Sequence, residues 1–211
     1  MQVGIALCGL AVLLGTAVAA TLLQGSRLAT ALTYGTSLVV CLGILGAACR
    51  YLTLTAASAQ TLRLPFGLPW TGAHLRLDAL SAFFLLVVNL GSAAASLFAI
   101  GHGRHETAPG RVLPFYPLFV ASMNLVVLAD DGFSFLLAWE FMSISSWALV
   151  LAHHDDPSNR RAAYIYILMV SFGTLALLLA FGLLAGGTSA TRLSTSAPAA
   201  ARFPPSSLSS P

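Results

Sequence analysis

The chain contains no lysine, so arginine supplies all ten of its basic side chains. Acidic residues are fewer still, seven in 211 positions, and charged residues make up only 8% of the sequence. A water-soluble domain carries about 25%. So few charges cannot cover a water-facing surface, which excludes a soluble enzyme. Cysteine is also scarce: Cys8, Cys41 and Cys49 each fall in an apolar run, and no CxxC occurs. That number and spacing suits buried, unreactive thiols and neither a zinc site nor an iron–sulfur cluster. There is no Walker loop and no GxGxxG, so the expectation is no cofactor and no metal. Moving one charge against 100 mV takes about 2.3 kcal/mol. The chain has no chemistry to supply that energy, and any pumping would be driven by a partner. The arginines are spread singly along loops, so nucleic acid is not an expected partner.

What fills the sequence is hydrophobic residues, at 57%. They form apolar runs of about 20 residues, the length a helix needs to cross a hydrocarbon core of about 30 Å. The expected fold is all-α and polytopic, with six spans at about 3–23, 31–48, 79–100, 113–128, 133–152 and 162–184. The lipid bilayer is therefore the first partner. Ala17-Val18-Ala19 looks like a leader cleavage site, but no Lys or Arg precedes the first run, so that run reads as a span.

Several signals punctuate the runs. Asp78 is a plausible N-cap for the third span, and Asp156-Pro157 an N-cap with a proline at the first helical position. Pro114 and Pro117 stand in the first turn of the fourth span, and Asp130-Asp131-Gly132 reads as a tight turn. In the connector, Leu62, Leu64, Phe66, Leu68 and Trp70 alternate with Arg63, Pro65, Gly67 and Pro69. That period of two predicts an extended, edge or hairpin-like segment on the membrane surface. Gly91, Ala95 and Ala99 recur every four residues, a pattern that lets another helix approach closely. After Gly186 the composition turns to Ser, Ala, Pro, Thr and Arg, and residues 187–211 read as a disordered tail.

Loop arginines set the expected orientation. Arg104 and Arg111 lie between spans three and four, Arg160 and Arg161 between five and six, while the loop between four and five holds only acids. These loops place the N-terminus outside. The connector, with Arg50, Arg63 and Arg76, argues the other way, but it is longer and weighs less.

Glu140 is the residue on which chemistry would rest. It is the eighth residue of the fifth span, away from both headgroup layers. A charge at a helix centre costs roughly 2.5–3.5 kcal/mol on insertion scales, so intramembrane acids are kept for function. A carboxyl there is suited to taking up and releasing protons as a nearby cation comes and goes. The plainer alternative is a protonated Glu bonded to Asn124 or a serine of a neighbouring helix. Ser143, Ser145, Ser146 and Asn124 lie near the same depth and would line a proton pathway or simply bond helices together. Asn89 in the third span has the same two readings. His153-His154-Asp155-Asp156 resembles a metal cluster, but adjacent histidines on a helix end diverge and no further ligand has the spacing. A solvated loop is the better reading, with His153 and His154 as proton collectors the weaker one. The same solvated reading holds for His102 and His105.

Several stretches together resemble a known family. They are Leu75 to Phe84 (LRLDALSAFF), Leu113 to Phe119 (LPFYPLF), Met123 to Asp130 (MNLVVLAD), Phe135 to Ser143 (FLLAWEFMS) and Ser171 to Leu177 (SFGTLAL). They are similar to the antiporter-like membrane subunits of respiratory complex I, Mrp cation/proton antiporters and membrane-bound hydrogenases. The nearest branch is the antiporter-like membrane subunit of hydrogenase-4, the formate hydrogenlyase type. The resemblance covers roughly Arg63 to Gly186. It implies that Glu140 is the fifth-helix glutamate of a proton pathway, paired with a lysine in a broken seventh helix. It implies other membrane subunits and a peripheral redox module as partners, and the cell inner membrane as the location. The family has two inverted five-helix repeats, so this chain is expected to be a truncated front portion. Its tail after Gly187 is read as an out-of-frame continuation. A cation/proton antiporter subunit and a non-conducting anchor are the alternative functions.

Overall fold

The computed structural model describes residues 2–23, 27–54, 59–64, 73–102 and 109–185. The expected disordered tail, His105, and Pro65 to Trp70 of the expected extended segment lie outside the described residues. The elements are α1 (Gln2–Leu22), α2 (Arg27–Leu54), β1 (Gln60–Leu64), β2 (Ala73–Leu77), α3 (Ala79–His102), α4 (Pro109–Val112), α5 (Phe115–Leu128), α6 (Gly132–Val150) and α7 (Pro157–Ala185). A 3₁₀ turn, Leu151–His153, follows α6. Among the described residues, six helical stretches are long and apolar enough to cross a membrane, with α4 and α5 forming one of them. The chain is thus an all-α, multi-pass membrane protein.

The helices begin where polar side chains can receive free N–H groups. The Asp78 carboxylate accepts from Ser81 N–H at 2.8 Å, and the Asp156 carboxylate from Ser158 N–H at 2.9 Å. Asp131 extends the pattern beyond a tight turn: it caps α6, accepting from Ser134 N–H at 2.8 Å. Its extended backbone (φ −130°, ψ 153°) suits a residue just before a helix. The fourth span is split into two helices. Pro114 and Pro117 lack the N–H groups that would bond back four residues, so the ladder breaks at Leu113–Pro114.

The connector forms a hairpin. β1 and β2 pair antiparallel, from Gln60 opposite Leu77 to Leu64 opposite Ala73. Extended structure is thus present at Leu62 and Leu64, and in its partner strand Ala73, Leu75 and Leu77 alternate with His74 and Arg76. The hairpin sits at the end of the bundle where Val3 N–H meets Gln60 Oε1 at 3.4 Å and Tyr51 donates to the Leu77 carbonyl at 3.3 Å.

The core has three apolar layers. Nearest the hairpin are Leu10, Ile44, Ala48, Tyr51, Leu77, Leu85 and Leu128; then come Leu13, Cys41, Ala93, Val120 and Ala121; then Ala20, Ala29, Tyr34 and Leu113. α1, α2, α3 and α5 build these layers. α6 packs on α5, and α7 packs on α6. Two expectations hold only in part, the small-residue face of α3 and the buried thiols. Gly91 and Ala95 face outward, while Ser92 and Ser96 beside them are buried with Ala93. The close approach is made by Gly9, where a Cβ would lie 2.9 Å from Ile44 Cδ1. Of the cysteines only Cys41 is buried; Cys8 and Cys49 lie on the outward face.

Candidate functional site

Glu140 lies on α6 about 12 Å along the helix from Gly132, at 1.5 Å per residue. It is half-buried. Leu137 and Ile144, its neighbours one turn before and after, are exposed, as is Phe141. The carboxyl therefore stands at the rim of an uncovered face. Among the described residues no hydrogen bond or ion pair reaches it. Next to it, Trp139 stacks on Phe135 with centroids 5.9 Å apart, and its indole N–H is buried without a partner among the described residues.

The other predicted residues are all engaged elsewhere, or stand apart. Asn124 is fully buried on α5, where its Oδ1 accepts from Asn89 Nδ2 across the α3–α5 interface at 2.6 Å. Each amide also donates to the carbonyl four residues back, Leu85 and Val120, at 2.8 Å. Ser145 donates to its own helix, to the Phe141 carbonyl at 2.7 Å. Ser146 accepts from Tyr166 of α7 at 2.9 Å. Ser143 is buried beside Glu140 on α6. The alternative of a Glu140 carboxyl bonded to Asn124 or to these serines is not what the structure has.

His153 and His154 lie at the opposite end of α6 from Gly132. His153 is exposed and its carbonyl accepts from Asn159 Nδ2 at 3.2 Å; His154 Nε2 is 3.8 Å from Asp155. Among the described residues no group of three metal-ligating side chains comes together. His102 stacks on Phe98, with centroids 5.2 Å apart.

Three polar features were not singled out by the sequence. Tyr116 donates to the Ser92 carbonyl at 3.0 Å and shares a 2.7 Å bond with Ser96, which ties α5 to α3 a second time. Arg76 lies between Asp78 (3.5 Å) and Asp130 (3.8 Å). Arg111 reaches the Ala152 carbonyl at 3.4 Å and Asp155 at 3.1 Å, closing the far end of the bundle.

Comparison with known proteins places this arrangement. Residues 129–206 match the family described as NADH:quinone oxidoreductase/Mrp antiporter, transmembrane region. That match includes α6 and α7 and runs past Gly187, into the stretch read as out of frame. The chain is 33% identical over 162 residues to Hydrogenase-4 component B of Escherichia coli, covering 76% of this chain and 24% of that protein. It is 40% identical over 126 residues to an uncharacterized protein of Mycobacterium tuberculosis, covering 59% of this chain and 20% of that one. A putative antiporter subunit, mnhA2, of Staphylococcus aureus is 31% identical over 125 residues, 56% of this chain and 16% of its own length. The chain spans about a quarter or less of these relatives. Among solved structures, a chain of the archaeal membrane-bound sulfane sulfur reductase superposes with TM-score 0.74 at 22% identity, over 89% of this chain and 38% of that one. A chain of the Mrp complex from Dietzia superposes with TM-score 0.58 at 24% identity, over 89% and 20%. Those two likenesses concern the fold. With six spanning helices among the described residues, the match over residues 129–206 and these relatives, the chain is similar to the antiporter-like membrane subunits of this family.

Proposed function

We propose that this chain contributes a proton-carrying group, Glu140, to proton translocation in a redox-driven hydrogenase- or NADH dehydrogenase-like complex. The observation that carries the reading is the state of Glu140. It is the acid that lies within a span, it is half-buried, and no side chain among the described residues bonds it. Ionisable side chains within a span mark proton and ion pathways, and this one is not tied into a structural bond among the described residues. The hydrogenase branch is favoured over the Mrp branch because the hydrogenase relative covers more of this chain. The redox partner, the inner-membrane location and the outside N-terminus belong to the same proposal. Ser143 is the side chain best placed to hold a proton-conducting water beside Glu140.

The test is Glu140→Gln in a complex that contains this chain, reconstituted in vesicles. Gln keeps size and polarity but cannot exchange a proton. Proton flux falls by more than about tenfold, equivalent to about 1.4 kcal/mol, while insertion and yield are unchanged. Unchanged flux refutes the proposal. A second reading, a non-conducting helix anchor, is favoured by the absence of lysine. The two readings separate in the complex, where only the first makes flux depend on Glu140.

A further inference from the structure

The α5–α6 turn and β2 share a set of contacts that the proton-carrying reading leaves unused. The Asp131 carboxylate is used on both oxygens. Oδ1 accepts from Ser134 N–H at 2.8 Å, which is the α6 cap. Oδ2 accepts from the Ser134 hydroxyl at 2.7 Å and from His74 N–H of β2 at 3.0 Å. In return Asp130 N–H donates to the His74 carbonyl at 2.9 Å, and Leu75 bridges antiparallel to Ala129. The outer edge of β2 therefore continues into the turn, and Asp131 is the point where hairpin and helix meet.

A cap alone does not require this residue. Ser, Asn and Asp cap about equally well, through one oxygen. Asp131 is only 5% exposed, and a carboxylate at that burial is costly unless its lone pairs are filled. The second oxygen fills them by reaching a strand 57 residues earlier in the chain. Because the bond is made at the first turn of α6, it fixes where that helix starts and how it is rotated. Glu140 follows nine residues later, about 13 Å along the axis.

We propose that Asp131 is a positioning residue, whose second carboxylate oxygen pins the start of α6 to the β-hairpin and so sets the depth and facing of Glu140. Its functional meaning rests on the proton-carrying reading of Glu140; its geometry does not.

The test reads the accessibility of Glu140 directly. Dicyclohexylcarbodiimide, an apolar reagent, modifies protonated carboxyls inside bilayers, and the rate at Glu140 is followed by peptide mass spectrometry on the membrane-inserted chain. Asp131→Asn keeps a capping oxygen but puts an amide where Oδ2 accepts from His74. His74→Pro removes the N–H from the other side, a group that bonds Asp131 and not β1. His74→Ala keeps that N–H and removes only the imidazole, whose Nδ1 stands 3.9 Å from Oδ2, beyond hydrogen-bond distance. Asp131→Asn and His74→Pro each speed Glu140 modification by about threefold or more, as a helix start freed from its tether opens locally. Their combination is no faster than either alone, and His74→Ala behaves as the parent. Buried Cys41 stays unreactive to a maleimide in every variant, which a general loosening would change. Parent-like rates in Asp131→Asn or His74→Pro, or a newly reactive Cys41, overturn the proposal. Flux that survives Glu140→Gln would instead sink the transport reading and leave this result standing.

Discussion

The half of the bundle built from α1, α2, α3 and α5 and the arm built from α6 and α7 treat polar groups in opposite ways. In the first, Asn89, Asn124, Ser96 and Tyr116 are paired across the α3–α5 interface, and both asparagines are fully buried. In the second, α7 has almost no buried residue, and the one ionisable side chain at mid-depth of α6 has no partner among the described residues. The polar side chains that join α3 and α5 each make at least one hydrogen bond, because hydrocarbon offers no water to replace a missing one. Among the described residues, Asn89 Oδ1 and Ser37 Oγ are left unfilled. A group left unsatisfied at the rim is available for something else. The contrast separates bonded from unbonded polar groups within one set of residues that sequence alone had put together.

The largest effect that would break this contrast is at the Asn pair. Asn124→Leu removes one acceptor and leaves the Asn89 amide buried with an unfilled donor. The expected cost is about 2 kcal/mol, between the mean worth of an interhelical bond in membranes and the penalty for an orphaned buried group. The double variant Asn89→Leu/Asn124→Leu restores apolar matching and costs less than the sum of the single changes. Reversible unfolding in mixed micelles measures all three. If Asn124→Leu is neutral, the first half is not held by its polar pair, and the comparison falls. The same assay on Glu140→Gln gives a change within about 0.5 kcal/mol, since no bond is lost.

A smaller effect sharpens the comparison at the other tie between α3 and α5. Tyr116→Phe removes the hydroxyl bonded to Ser96 and to the Ser92 carbonyl, but Ser96 can then turn to a carbonyl of its own helix. The aromatic contact with Tyr34, centroids 5.2 Å apart, is kept. The loss is therefore about 1 kcal/mol, half that at Asn124, in the same unfolding assay. A loss equal to that of Asn124→Leu would show that the two ties act as one network.

How much of this is legible in the sequence depends on the reach of each cause. Span positions follow from apolar run length, and the caps at Asp78 and Asp156 from residue type next to a run, so both are readable. Glu140 is conspicuous for a local reason too, an acid inside an apolar stretch. The hairpin is readable only in part: the alternation from Leu62 marks extended chain, but β2 is set by pairing with β1 and with the α5–α6 turn. Asp131 looks like half of a turn because its partner, His74, is 57 residues away. The Asn89–Asn124 pair spans 35 residues and depends on the rotation of two helices that are apolar on every side, so no periodicity points to the buried face. The Gly91 stripe misleads for the same reason. Small residues show where a helix can be approached, not which neighbour arrives.

The smallest expected effect lies in the arm itself. Tyr166 donates to Ser146 at 2.9 Å, and Phe181 meets Phe135 edge to face with centroids 5.8 Å apart. These contacts fasten α7 to α6 at two levels. Tyr166→Phe removes the bond and keeps the ring. Ser146 can rebond to its own helix, so the cost is about 0.6 kcal/mol, the average for an interhelical bond in a membrane. Because α7 touches little else, the change is expected to show as local opening: faster amide exchange along α7, with exchange in α3 and α5 unchanged. Equal acceleration in α3 and α5 would mean that arm and core unfold as one cooperative unit, and the division between a bonded interior and an open arm would have to be withdrawn.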